Sequence, residues 1–76
     1  ARRRILPLAH DLAANGPREH YMRAKIIEID GKDHISPFDR QDSSLQTVLA
    51  SADALAIRPP RDPMRLQGEM IEWIDI

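Results

Sequence analysis

The sequence predicts a small, mainly β domain of barrel-like form, with about five short strands and one short helix. Six prolines interrupt the chain. Turn-forming pairs such as Asn15-Gly16 and Asp30-Gly31 recur at short intervals. Between them stand short apolar runs rich in isoleucine, the pattern of strands rather than helices.

Taken in order, Arg2 to Leu8 reads as an edge strand that stops or bulges at Pro7, because proline has no N–H to give to a ladder. Arg2, Arg3 and Arg4 read either as a phosphate patch or as charges that discourage edge-to-edge pairing. Residues 11–17 form a loop, marked by Asn-Gly followed by Pro. Arg18 to Ile29 is the longest strand. Met22, Ala24 and Ile26 share one face, and Tyr21, Arg23 and Lys25 share the other. Ile27 and Ile29 then bring apolar side chains to the second face, which predicts a bulge or sharp bend near Lys25-Ile26. Asp30-Gly31 is the strongest hairpin signal, and a short strand returns over Asp33 to Pro37.

The stretch Pro37 to Ser44 gathers hydrogen-bonding side chains directly before the one helical pattern. Leu45, Val48, Leu49 and Ala52 fall at i, i+3, i+4 and i+7, and Asp42 or Ser43 can cap that helix. Such an end is either a capped helix without a ligand or a seat for an anion. Asp53 to Arg58 reads as a buried strand ended by Pro59-Pro60. Arg61 to Gln67 is a proline-containing loop, and Gly68-Glu69 turns into the last strand, Met70 to Ile76. Phe38 and Trp73 are assigned to the core.

With 76 residues the chain makes one domain, and a domain of this size buries only about 60% of its unfolded surface. It contains no cysteine, so no disulfide or thiolate metal site reinforces it. That fits a reducing compartment and a cytoplasmic location. A net charge of −1 argues against a general polyanion binder. A nucleic-acid barrel using Arg2, Arg3 and Arg4 would also want stacking platforms, and only Tyr21, Phe38 and Trp73 are aromatic. No run is long and apolar enough for a membrane span. The chain opens on Ala1 rather than Met, which suggests a piece of something longer.

His10, His20 and His34 match no zinc spacing, and no phosphate loop or nucleophile elbow is present. Asp39 and Asp42 make a weak magnesium pair beside Arg40. This leaves donors without catalytic machinery: Arg18 and Arg23 on the long strand, and Gln41, Ser43 and Ser44 at the helix start. Arginines with hydroxyls form an edge that binds phosphate or another oxyanion. Arg18 and Arg23 lie an odd number of residues apart, so only a bulge between them would aim both at one site. The alternative is that they pair across strands with Glu19, Glu28 or Glu72.

Asn15-Gly16-Pro17-Arg18-Glu19-x-Tyr21-x-Arg23-Ala24 resembles the opening of the C-terminal domain of molybdopterin molybdenumtransferases, the MoeA family that includes the gephyrin E domain. Pro37-Phe38-x-x-Gln41-Asp42-Ser43-Ser44-Leu45, Ala52-Asp53-Ala54-Leu55, Arg58-Pro59-Pro60 and Gly68-Glu69-Met70-Ile71-Glu72 resemble the rest, in the same order. The resemblance covers nearly the whole chain. It implies that residues 1–76 are a β-clip domain, the fourth of a four-domain subunit, in an enzyme that inserts molybdate into adenylylated molybdopterin during molybdenum cofactor biosynthesis. Magnesium and the catalytic carboxylates would belong to another domain, and this one would hold no cofactor. Its partners would be the rest of the parent chain, the homodimer mate and other molybdenum cofactor biosynthesis proteins, with no nucleic acid and no membrane. By motif position, Arg18, Arg23, Gln41, Ser43 and Ser44 would face the anionic ligand. Asp42 stands where some relatives have glycine, adding a negative charge beside that site. The alternative is a protein-interaction module that docks a peptide or partner domain.

Overall fold

A computed structural model describes residues 2–38 and 53–76. Its regular elements are five strands: β1 (Arg4–Pro7), β2 (His20–Ile29), β3 (Lys32–Pro37), β4 (Ala54–Arg58) and β5 (Met70–Asp75). They form one antiparallel sheet in the order β1-β5-β4-β2-β3. The predicted helix, with Asp39 to Ser44 before it, lies outside the described residues.

The sheet curls into a half-barrel because its two edge strands approach each other at one point. Leu8, just past β1, bridges to Ile35 of β3 in parallel, and the Ala9 N–H donates to the Ile35 carbonyl at 2.9 Å. Pro7 and Pro37 both sit at ends of edge strands, where a missing N–H breaks no central ladder. Between β2 and β3, Asp30 and Gly31 adopt φ of 52° and 80°, the left-handed pair of a two-residue type I′ turn. The turn sets Ile29 opposite Lys32.

Alternation sorts the side chains. Leu6 opposite Ile71, Ala56 opposite both Met22 and Trp73, Ala24 opposite both Ala54 and Pro37, and Ile26 opposite Ile35 all point into the curl. Small residues stand where bulk would collide: Ala24, Ala54 and Ala56 are fully buried, leaving room for Trp73. Leu8 and Ile35 are also fully buried, each contributing about 2 kcal/mol through removal from water. The Arg4 guanidinium caps this layer, 5.5 Å from the centre of the Trp73 ring.

The bulge expected near Lys25-Ile26 is absent. β2 keeps an unbroken register with β4 from His20 to Ala24 and with β3 from Ala24 to Ile29. What changes at Ala24 is the partner strand. Beyond it β4 no longer pairs, and Asp53 fills in: its N–H donates to the Ala24 carbonyl at 2.8 Å and its carboxylate accepts from the Ile26 N–H at 3.1 Å. Ile27 and Ile29 therefore lie half-buried on the outer face without any inserted residue.

Candidate functional site: a latched polar end

At the end of the sheet where β2 begins and β4 finishes, two loops are bound together by polar groups. One runs from Ala9 to Glu19 and the other from Pro59 to Glu69. Asn15 is the central latch. Its side-chain amide nitrogen donates to the carbonyls of Arg18 at 2.9 Å and Pro59 at 2.8 Å, and more weakly to that of Arg58 at 3.4 Å. The Asn15 backbone N–H donates to the Asp62 carbonyl, and the Arg61 N–H to the Gly16 carbonyl at 2.7 Å. Leu12 and Arg65 exchange backbone hydrogen bonds further along.

Beneath this latch lies a buried ion-pair cluster. Arg58 and Asp62 are almost fully buried, and the Arg58 Nε donates to Asp62 Oδ2 at 2.8 Å. Its Nη2 donates to the carbonyls of Ala13 and Pro63, so the guanidinium reaches both loops. Arg65 donates to both Asp62 oxygens and also pairs with Glu69. The hydrogen bond from Arg65, with the help of Arg58, holds the Asp62 carboxyl below its ordinary value of 3.8 against the opposing effect of burial. The same partner raises Arg65. Beside the cluster, Ile57, Pro59, Asp62, Arg65, Met70, Ile71 and Glu72 line a shallow cleft.

Of the residues singled out by the sequence, Arg18 lies in this latched end. It precedes β2 and is exposed, its carbonyl held by Asn15. Arg23 lies inside β2 opposite Leu55, exposed on the outer face, and its carbonyl accepts from the Phe38 N–H at 2.8 Å. Neither guanidinium forms an ion pair with another described residue. Glu72, one of the carboxylates expected to pair with them, is taken by Arg3 at 3.2 Å. Gln41, Ser43 and Ser44 lie outside the described residues. Among the described residues, no group of three or more His, Cys, Asp or Glu side chains is placed to hold a metal ion.

Sequence reasoning missed two features here. The sequence marks Asn15 as part of a turn and of the family-like stretch, whereas in the structure its side chain does the binding. The Arg58-x-x-x-Asp62-x-x-Arg65-x-x-x-Glu69 spacing, opposite charges three or four apart, was the available signal for the cluster.

Residues 6–76 match the family described as MoeA C-terminal region (domain IV). The chain belongs to that family. No curated protein matches it. As a MoeA C-terminal region, it falls within the enzyme family of molybdenum cofactor biosynthesis, and its parent is a molybdopterin-related enzyme. The half-barrel is thus the form of this MoeA domain, and Asn15 to Glu19, which opens one of the stretches that carried the resemblance, lies in its latched end. Among the described residues of the domain, no helix is long and apolar enough to cross a membrane.

Proposed function

We propose that this domain is the C-terminal accessory part of a molybdenum-inserting transferase. It lends cationic and hydroxyl side chains to the cleft of the dimer mate, where adenylylated molybdopterin meets molybdate. The observation that carries this reading is Arg18: an arginine in a stretch that resembles the family, exposed and unpaired among the described residues, on backbone fixed by Asn15. A guanidinium on a fixed loop meets a phosphate with little reorganisation and presents a fork of donors that matches it. Arg23, Gln41, Ser43 and Ser44 join it in the proposal by motif position. The domain's role is to orient the ligand. Bond making, magnesium and the carboxylates that bind it belong to another domain of the parent, which works in the cytoplasm with its dimer mate and other biosynthetic proteins.

Calorimetric titration of the parent enzyme with molybdopterin tests this. Arg18→Ala weakens binding about tenfold or more if its charge-assisted hydrogen bonds form, and unchanged affinity removes Arg18 from the site.

The outer face favours a second reading, a surface that docks a peptide or a partner domain. Ile5 is 59% exposed and Met70 52% exposed on neighbouring strands of that face, with Tyr21 also exposed on β2. Ile5→Asp together with Met70→Asp would then abolish partner capture while leaving ligand affinity intact.

A further inference from the structure

Among the described residues, the arginines divide into two sets. Arg3, Arg4, Arg58 and Arg65 are neutralised by Glu72, Asp75, Asp62 and Glu69. Arg2, Arg18, Arg23 and Arg61 are exposed and form no ion pair with a described residue. Two of this second set are brought to one place. Arg18 and Arg61 belong to different loops, yet the Arg61 N–H donates to Gly16 at 2.7 Å while the Asn15 amide ties the Arg18 carbonyl to that of Pro59. Glu19, the carboxylate next to Arg18 in the chain, forms no ion pair with either guanidinium.

Arg61 also has an uncommon backbone. Its φ is 59°, in the left-handed region that suits glycine and strains a residue with a long side chain. The φ of 52° at Asp30 is accounted for by a hairpin turn, which accepts aspartate readily. Arg61 likewise stands third in a β-turn from Pro59 to Asp62, led by Pro60, where a positive φ is the ordinary geometry. The Gly16 hydrogen bond and the one from the Asp62 N–H to the Pro59 carbonyl hold the conformation in place.

We propose that Arg61 is the second cation of an anion seat formed with Arg18, suited to a phosphate ester or diphosphate group. This inference rests on the reading of Arg18 given above and adds a residue outside the motifs that suggested it. Two guanidiniums on latched loops grip a diphosphate from two directions without either loop having to be ordered on binding.

The test uses the isotope-labelled chain, inorganic pyrophosphate as probe, and amide chemical shifts at low salt. Pyrophosphate is expected to shift the amides of Gly16, Arg18 and Arg61 together. Arg61→Gly is the informative variant, because glycine suits the backbone and so keeps the fold while removing the charge. It should weaken pyrophosphate binding about tenfold, with Arg61→Lys intermediate, and its thermal midpoint should not fall. Unchanged binding by Arg61→Gly overturns the proposal, as does an absence of binding or a set of shifts centred on Arg2–Arg4 or Arg23. If Arg18→Ala weakens binding and Arg61→Gly does not, this inference alone fails. If neither does, the reading of Arg18 fails with it.

Discussion

Asp62 accepts from two guanidiniums, one of them buried with it, so its carboxylate is where the polar end is most sensitive to a single change. Removing one partner of a buried pair strands the other charge, at a cost of about 3 kcal/mol or more. Asp62→Asn should lower the unfolding free energy at neutral pH by about that amount, measured by urea denaturation. Arg58 then keeps the Ala13 and Pro63 carbonyls and a neutral amide oxygen, but no opposite charge. The pH dependence has a definite sign. A carboxyl lowered in the folded state contributes stability that is fully present above its unfolded value of 3.8. That contribution is lost as pH falls from there through the lowered folded value. The wild-type chain should therefore lose stability in this acid window more steeply than Asp62→Asn, and parallel acid limbs would show that the carboxyl is not depressed.

At the level of the strands, the β2–β3 hairpin depends on a left-handed pair, and Gly31 at φ 80° is the member that a side chain disturbs. Gly31→Ala meets no steric neighbour, so its cost is backbone strain alone, about 1 kcal/mol. A thermal melt showing no loss would mean that the turn relaxes to another type. This hairpin was plain in the sequence because Asp-Gly directly after an isoleucine-rich run admits few alternatives. The end of β4 was equally plain, since Pro59-Pro60 has no N–H to continue it. The change of partner at Ala24 was not legible. Periodicity reports which face of a strand is covered, never which strand lies beside it, and an apolar residue on the unexpected face looks the same under a bulge or under a new neighbour. The latch was hidden for a related reason. Asn15 binds backbone carbonyls of Pro59 and Arg58, and a carbonyl is present at every position whatever the side chain. Of the candidate site, the two arginines could be placed, while Gln41, Ser43 and Ser44 fall outside the described residues.

Taken as a whole, the half-barrel is held by pairings remote in sequence: β1 beside β5, β4 between β5 and β2, and Leu8 against Ile35. Chains dominated by such contacts close large loops before any contact rewards it, and they fold in milliseconds to seconds rather than microseconds. Trp73, the single tryptophan and a buried one, is the natural reporter, so stopped-flow refolding followed by its fluorescence should resolve one phase in that range. Ile35→Ala, at the closure point, should cost about 3 kcal/mol by leaving a void where the edges meet. The Asn15 latch has one more consequence, and it concerns chemical ageing. The residue after it is an exposed glycine with no side chain and open space around it. The Gly16 amide nitrogen can therefore attack the Asn15 side-chain carbonyl and expel ammonia, and water then opens the cyclic imide to aspartate or isoaspartate. The product sets a carboxylate against the very carbonyls that the amide had gripped, so stored protein should unfasten first at this corner, while the sheet behind it stays folded.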